Sequence, residues 1–361
     1  MENIIKAAVE RGASDLHIKA GDVFRARIDG EFKPLTKQRL TPEQTKAIAL
    51  QLIPNAADRE RIDSIRDYDC SWGAPGIGRF RVNLLRQRSS FMVVMRAIPF
   101  NVPTVESLAL PPVIGKIAEG ERGLIVVTGP AGSGKSSTIA AMIHQINSTM
   151  SKHVITLEDP IEFLHRDVQS SVTQREVGVD TESLKVGARA ALRQDPDVIF
   201  VSELADSEIT SIVMQAAETG SLVLSNFHAP DAAAAVGRLV SMFPPGEQEM
   251  ARMRLADALH AVVAQRLLPR TDGEGRIAVV EVLLCTPEIR EVIRNRNRLG
   301  ELHRMIEAGH KEHQMQTFDQ HLQQLVEEKM ITSETAAAAA SDPGIFDSPA
   351  PKRRRTKKTA S

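Results

Sequence analysis

The sequence predicts an α/β protein in which a mixed N-terminal domain precedes a domain built on a mostly parallel sheet. Residues 1–100 combine helical spacing with short alternating strands. Beyond a proline-containing segment, four apolar runs recur between helical stretches: "GLIVVTG", "HVITLED", "DVIFVSE" and "SLVLSNF". Strands that are apolar on both faces are typical of parallel sheets covered by helices. The length of 361 residues, with 42% hydrophobic and 25% charged content, suits a globular protein of about two domains.

The N-terminal domain, residues 1–100, is predicted to open with a helix and to continue as strands. The segment "NIIKAAVERG" has helical spacing and ends at Gly12, a residue type that commonly terminates helices. The segments "DLHIKA", "FRARIDGEFKPL", "RFRVNLLRQ" and "SFMVVMRAI" alternate as strands do. A second helix should begin after Thr41, because Pro42 suits the first helical position and Glu43 and Gln44 follow closely.

Three further parts follow in the chain. Residues 101–120 contain Pro103, Pro111 and Pro112 and are predicted to be a linker. Residues 121–342 form the second domain, and from about residue 244 onward we predict mostly helix, starting with "GEQEMARMRLADALHAVVAQRLL". Residues 343–361 have low complexity and include "KRRRTKK", so we predict a disordered basic tail.

Composition excludes several classes of protein. Two cysteines, Cys70 and Cys285, cannot build a disulfide framework or a four-thiolate zinc site, and they suit a reducing compartment. The N-terminal stretch does not resemble a signal peptide, and no apolar run is long enough to span a bilayer. We therefore expect a cytoplasmic protein. The net charge of −1 includes six positive charges in residues 352–358. The tail is therefore expected either to contact an anionic membrane surface or nucleic acid, or to be a solvated end.

A phosphate-binding signature follows the first apolar strand of the second domain. Gly129 and Gly134 bracket four residues, and Lys135 and Ser136 come next, at the start of a helical pattern. Glycines let successive backbone N–H groups point at a phosphate, Lys135 can reach the β- and γ-phosphates, and the Ser136 hydroxyl can ligate Mg²⁺. The sequence therefore predicts binding of a nucleoside triphosphate with Mg²⁺. The predicted nucleotide-binding residues of this loop are Gly129, Pro130, Ala131, Gly132, Ser133, Gly134, Lys135, Ser136 and Ser137.

Acidic residues follow two other apolar strands of the same domain. Glu158, Asp159 and Glu162 come after "HVITL", and Glu203 comes after "DVIFVS". Ligands of open parallel sheets lie outside the carboxyl ends of the strands, where acids can support the Mg²⁺ shell or position a water. The alternative for the first three acids is a solvated loop, in which case Asp159 has no metal role. His228 follows the strand "SLVLSNF" and is either a contact to the γ-phosphate or a structural histidine.

These motifs together resemble the GspE-like secretion and pilus ATPase superfamily, and within it the PilT-type ATPases of twitching motility. The resemblance covers about residues 4–346 and includes "GASDLHIKAG", "ITLEDPIEF", "ALRQDPDVIFVSE", "AAETGSLVLSNFH" and "VIRNRNRLGELHRMIEAG". It implies a PAS-like N-terminal α/β domain followed by a RecA-like P-loop ATPase domain with a helical C-terminal end. It also implies a homohexamer that hydrolyses ATP to power type IV pilus retraction at the cytoplasmic face of the inner membrane.

The resemblance assigns roles to individual residues. It makes Glu203 the general base, Glu162 and Glu158 the acids of the Asp box, and His228 the histidine of the His box. Candidate phosphate-contacting arginines are Arg81 and Arg96, with Arg86 and Arg88 as nearby alternatives. The implied partners are an inner-membrane pilus platform protein and a paralogous retraction ATPase, and no motif indicates specific nucleic-acid binding.

The chain departs from the family pattern at several positions. The usual Gly-Glu-(Met/Ile)-Arg-Asp reads Ser202-Glu203-Leu204-Ala205-Asp206, which removes an arginine. A second histidine of the His box is Ser221, and the usual Thr-Leu-His-Thr reads Asn226-Phe227-His228-Ala229. Loss of a permanently charged donor slows phosphoryl transfer more than it weakens binding.

These departures leave two hypotheses, an active retraction motor and a weakly hydrolysing accessory paralogue. A type II secretion or pilus assembly ATPase is a third, disfavoured by the missing four-cysteine zinc module and by the segment "VIRNRNRLGELHRMIEAG".

Overall fold

A computed structural model of the chain describes residues 1–28, 30–98 and 101–346. The chain folds into two compact units. The first contains residues 1–102, 156–167 and 172–187, and the second contains residues 103–155, 168–171 and those from 188 onward. Both units combine helices and strands, so the predicted α/β class is confirmed.

The N-terminal residues of the first unit form a six-stranded antiparallel sheet with helices. The elements in chain order are α1 (Glu2–Glu10), β1 (Ala13–Lys19), β2 (Arg25–Ile28), β3 (Glu31–Pro34), α2 (Pro42–Leu52), α3 (Ala56–Glu60), β4 (Asp67–Ala74), β5 (Gly78–Gln87) and β6 (Ser90–Ala97). The strand order is β3-β2-β1-β6-β5-β4. Alternate residues of the strands, such as Leu16, Leu84 and Met95, are buried in the core, which leaves the other face polar.

Two local sequence signals of this unit are borne out by the structure. The chain leaves α1 through Gly12, whose φ of +74° is the left-handed conformation that favours glycine. Thr41 caps α2: its hydroxyl accepts a hydrogen bond from the backbone of Gln44, whose side chain in turn accepts from the Thr41 N–H.

The remaining chain forms a seven-stranded sheet and its covering helices. The elements are α4 (Val113–Ala118), β7 (Gly123–Thr128), α5 (Lys135–Thr149), β8 (His153–Glu158), β9 (Ser171–Glu176), α6 (Leu184–Ala191), β10 (Val198–Val201), α7 (Ser207–Glu218), β11 (Leu222–Phe227), α8 (Ala232–Ser241), α9 (Gln248–Ala258), β12 (Leu259–Pro269), β13 (Arg276–Leu284), α10 (Pro287–Arg294), α11 (Leu302–Ala308), α12 (His310–His313), α13 (Phe318–Glu327) and α14 (Ser333–Ala339). The strand order is β13-β12-β7-β11-β10-β8-β9. The strands β7 and β10 are buried along their whole length, as parallel strands covered on both faces should be.

One predicted element is wrong. The segment "GEQEMARMRLADALHAVVAQRLL" is predicted to be helical throughout, but its helix ends at Ala258 and residues Leu259–Pro269 form β12. This strand pairs in parallel with β7 and antiparallel with β13. Four consecutive apolar residues, 261–264, are buried there, and the sheet on both sides of β12 outweighs the local helical preference of alanine and leucine. The later part of the region is helical, as expected.

The C-terminal part of the described chain packs on the sheet. Phe318, Leu322 and Leu325 of α13 belong to one buried hydrophobic cluster with Ile277 and Val279 of β13. Residues Pro343–Phe346 form a 3-10 turn, and the rest of the predicted basic tail, residues 347–361, lies outside the described residues. Within the described ranges, no helix has the length and apolar character needed to cross a membrane.

Candidate nucleotide site

The phosphate-binding loop joins a buried strand to a helix, as the sequence predicts. The strand β7 ends at Thr128, and α5 begins at Lys135. Gly129, Gly132 and Gly134 have φ values of +149°, +74° and +87°. A Cβ atom at Gly129 would lie 2.3 Å from the backbone oxygen of Gln265, so only glycine fits there. The backbone thus takes the glycine-dependent path that a phosphate cradle requires.

Lys135 and the serines after it occupy the first turn of α5. Lys135 is only 9% exposed, and its Nζ donates to the carbonyl oxygens of Gly129 and Pro130 at 2.9 and 3.0 Å. Its charge therefore lies against the loop itself, at the positive end of a fifteen-residue helix. Ser136 and Ser137 are partly exposed beside it.

The residues of this loop also suit a magnesium ion that arrives with a nucleotide. Mg²⁺ retains several waters and takes few protein ligands besides substrate phosphates. The described residues contain no group of three or more His, Cys, Asp or Glu placed to hold a metal by themselves. Ser136, in the first turn of α5, offers a hydroxyl oxygen of the kind that such an ion accepts as one ligand.

The strand ends carrying Glu203 and His228 lie at the same edge of the sheet as the loop. β11 pairs in parallel with both β10 and β7, with Phe227 opposite Thr128. Glu203 follows β10 and His228 follows β11, and Glu203 Oε1 lies 3.6 Å from His228 Nε2. Their side chains are 48% and 54% exposed. The structure therefore brings together a carboxylate and an imidazole that both reach solvent.

The acids after β8 lie in the first unit and differ in exposure. Glu158 is 6% exposed; its Oε1 accepts hydrogen bonds from the Thr156 hydroxyl at 2.6 Å and from Gln174 Nε2 at 2.9 Å. The backbone N–H of Glu162 donates to the other Glu158 oxygen at 3.4 Å. Burial raises the pKa of Glu158 against the opposing effect of these hydrogen bonds. Asp159 and Glu162 are exposed, so they are the accessible carboxylates of this loop, and Glu158 supports the backbone between them.

Arg81 and Arg96 are neighbours on the polar face of the N-terminal sheet. They lie directly opposite each other on β5 and β6, and Asp15 of β1 lies opposite Arg96 on its other side. Arg96 Nε donates to Asp15 Oδ1 at 2.9 Å. Burial acts to raise the pKa of Asp15, but the hydrogen bonds from Arg96 and from the Ser14 hydroxyl, together with the positive charge of Arg96, outweigh it and lower that pKa. Both arginines are exposed, so their guanidinium groups can meet an anion.

The alternative arginines are placed differently. Arg86 donates to the backbone oxygens of Ile65 and Asp63 at 3.2 and 3.0 Å, and its guanidinium carbon lies 4.3 Å from the centroid of the Phe91 ring. Arg88 has a φ of +47° in the turn between β5 and β6. Arg86 is thus engaged in contacts within its own unit, whereas the Arg88 side chain is exposed.

Sequence reasoning missed two polar residues that hold the loops of the site. Thr128 and Ala229 exchange hydrogen bonds: the Thr128 hydroxyl donates to the Ala229 carbonyl at 3.1 Å and accepts from its N–H at 2.8 Å. Gln265 contacts Ser133 and Thr138. The sequence offers one sign of the role of Gln265, because it is an amide side chain within the apolar run "AVVAQRLL". The local sequence of that run predicts a helix, so its place in the sheet is not expected.

Comparison with known proteins agrees with this architecture. The family described as "Type II/IV secretion system protein" matches residues 1–337. Among relatives, the type IV pilus ATPase PilU of Pseudomonas aeruginosa is 41% identical over 94% of this chain and 88% of its own length. The type IV pilus retraction ATPase PilT of the same organism is 38% identical over 95% of this chain and 98% of its own length.

A solved structure extends the likeness to three dimensions. The crystal structure of the pilus retraction motor PilT with bound ADP has a TM-score of 0.84 to this chain at 42% identity, and it covers 96% of this chain and 98% of the other. The predicted order of an N-terminal α/β domain and a RecA-like ATPase domain is thereby confirmed. The chain belongs to the type II/IV secretion system protein family, among its PilT-type ATPases.

Proposed function

We propose that this chain is an ATPase that powers type IV pilus retraction and works as a cytoplasmic homohexamer at the inner membrane. The observation that carries the proposal is the nearly full-length match to a retraction ATPase together with an intact phosphate-binding loop. Bound ADP in the PilT structure supports nucleotide binding by the corresponding loop here.

In this proposal, different residues of the chain bind the phosphates and activate the water during hydrolysis. The loop N–H groups and Lys135 hold the β- and γ-phosphates of ATP, and the Ser136 hydroxyl would help to hold a Mg²⁺ ion, which would offset the phosphate charge when bound. Glu203 accepts a proton from the water that attacks the γ-phosphorus, and ADP leaves as the bond from its β-phosphate to the γ-phosphorus breaks. His228 Nε2 lies 3.6 Å from the Glu203 carboxylate, so the imidazole stands next to the proposed base. The resemblance to the family makes the exposed arginines Arg81 and Arg96 the proposed anion-contacting residues of the first unit.

The proposed partners follow from the same role. A retraction motor has to act on a pilus platform protein of the inner membrane, and a paralogous ATPase is a second proposed partner. The basic segment at residues 352–358 can add attraction to anionic lipid of about 1 kcal/mol per basic residue. These contacts would hold the ring at the membrane face.

The test is steady-state release of phosphate from ATP and Mg²⁺ by the purified full-length chain, sized in the same buffer. We expect Lys135→Ala to lose nucleotide binding, because the loop then lacks its only lysine. Glu203→Gln should keep ADP binding and lower phosphate release by about 10²- to 10⁴-fold, the usual contribution of a general base. The matched control is Glu249→Gln, an exposed acid on α9, which should behave as the parent does.

The accessory paralogue is the second candidate, and Ala205 is the observation that favours it. Ala205 is exposed beside Glu203, where the family usually has an arginine. A parent that binds ADP as a ring but releases no more phosphate than Glu203→Gln would refute the motor and favour the accessory role. A parent that binds no nucleotide would refute both.

A further inference from the structure

The phosphate-binding loop is tied to a neighbouring strand by one buried side chain, that of Gln265. Ala264 of β12 lies opposite Thr128 of β7, so Gln265 lies at the level where the chain leaves β7 to form the loop. Gln265 is only 2% exposed. Its Nε2 donates to the backbone oxygen of Ser133 at 2.7 Å, and its Oε1 accepts from the Thr138 hydroxyl at 2.6 Å. One carboxamide thus connects the loop to the first turns of α5.

The chemistry of the partners fixes the orientation of this carboxamide. The Ser133 carbonyl can only accept a hydrogen bond, so the Gln265 group facing it has to be the NH₂ group. The Gln265 oxygen then faces Thr138, whose hydroxyl has to donate. Both ends of the side chain are satisfied, and neither can rotate without leaving a buried polar group unpaired.

The loop passes Gln265 at two of its glycines. A Cβ atom at Gly129 would lie 2.3 Å from the Gln265 backbone oxygen, and a Cβ atom at Gly134 would lie 2.8 Å from its Nε2. The backbone of the loop therefore touches the same residue where it begins and where it ends. A substitution that alters the shape or hydrogen bonding of Gln265 therefore changes direct contacts with the loop.

We propose that Gln265 is a positioning residue that orients the phosphate-binding loop for nucleotide. A peptide unit is planar and trans, so its carbonyl and the following N–H point in opposite directions. Holding the Ser133 carbonyl toward Gln265 therefore keeps the Gly134 N–H pointing away from Gln265, as a donor for phosphate. The inference rests on the proposed ATP-binding function and adds a residue outside the loop that sets its affinity.

The test measures ADP affinity of the full-length chain by titration calorimetry, with thermal unfolding recorded in the absence of nucleotide. Gln265→Met keeps the length of the side chain but removes both hydrogen bonds. We expect about tenfold weaker ADP binding, the effect of losing one well-placed hydrogen bond and leaving its buried partner unpaired.

The matched control is Thr45→Val. Thr45 of α2 is 0% exposed, and its hydroxyl donates to the Pro42 backbone oxygen at 3.0 Å, so this hydrogen bond involves neither the loop nor β12. This variant loses the same kind of buried hydrogen bond, so it should unfold earlier while binding ADP within about twofold of the parent. Equal weakening by both variants would reduce Gln265 to a structural residue and overturn the proposal.

A second pair of variants keeps the proposal testable if Gln265→Met does not fold. Thr138→Val removes the donor that orients the Gln265 oxygen, and Thr138→Ser keeps it. We expect weaker ADP binding in Thr138→Val and parental binding in Thr138→Ser. Parental affinity in Gln265→Met or in Thr138→Val would overturn the proposal, whereas a parent that binds no ADP would refute the proposed function itself.

Discussion

Arg81 and Arg96 are adjacent cations, and the residue that offsets their repulsion is Asp15. Side chains directly opposite each other on antiparallel strands come within about 5 Å at their Cβ atoms, where like charges destabilise the pair. Asp15, Arg96 and Arg81 follow one another across β1, β6 and β5, so the carboxylate stands beside one end of the arginine pair. Asp15 thereby reduces the electrostatic repulsion between two arginines that are both available to an anion.

This arrangement predicts a pH-dependent contribution of Asp15 to stability. Because the pKa of folded Asp15 is lowered, its contribution is present above the pKa of the unfolded chain and is lost as the pH falls through the folded pKa. We expect Asp15→Asn to lower the free energy of unfolding at pH 7 by less than about 1 kcal/mol, since the Arg96 side chain is 72% exposed and solvent screens the pair. Urea unfolding at a series of pH values from about 7 to about 2 should show a constant difference down to about pH 4 and a shrinking difference below it.

A double-mutant cycle separates this ion pair from other effects of the substitution. Arg96→Gln removes the same interaction from the other side. The double variant should therefore lose little more free energy of unfolding than either single variant does. The ion pair would be contradicted if the two single losses in the free energy of unfolding added up in the double variant. It would also be contradicted if Asp15→Asn still differed from the parent at low pH.

At the scale of elements, the cap of α2 makes a local prediction. The Thr41 hydroxyl accepts from the Gln44 N–H at 3.3 Å, and the Gln44 side chain accepts from the Thr41 N–H at 2.9 Å. Thr41→Ala leaves an N–H of the first turn without its acceptor and should lower the free energy of unfolding by about 1 kcal/mol. Thr41→Ser keeps the acceptor and should remain near the parent in urea unfolding. A serine variant as unstable as the alanine variant would exclude the cap as the cause.

The elements that sequence predicts well are those specified by neighbours along the chain. The Thr41 cap spans four residues, and the phosphate-binding loop is specified by glycines and a lysine within eight. The strand β12 could not be predicted from its local sequence, because its conformation depends on pairing with β7, more than a hundred residues earlier in the chain. The roles of Gln265 and Asp15 could not be predicted for the same reason, since their partners Ser133 and Arg96 are distant in sequence.

At the scale of the whole molecule, the departures from the family pattern leave the backbone of the site intact. The Ser221 hydroxyl donates to the Pro196 carbonyl at 3.1 Å. The Leu204 N–H donates to the Asn226 carbonyl at 3.1 Å, and Ala229 is held by Thr128. Two of these contacts use backbone groups that any residue provides, and the third uses the hydroxyl of Ser221, which stands where the family usually has a histidine. Relative to the family pattern, the chain therefore lacks the charge of an arginine at Ala205 and the imidazole of a histidine at Ser221, while its loops keep their backbone contacts.

That conclusion predicts the effect of restoring the charge. Ala205 is exposed, so Ala205→Arg can place a permanent cation beside Glu203 without displacing a buried group. If the missing charge limits turnover of the ring, phosphate release should rise about tenfold or more, because charge placed where it develops in the transition state is a large catalytic term. Ala205→Gln, which adds length without charge, is the control and should stay at the parental rate. An arginine variant that assembles and binds ADP as the parent does, yet releases phosphate no faster, would show that Ala205 does not limit this motor.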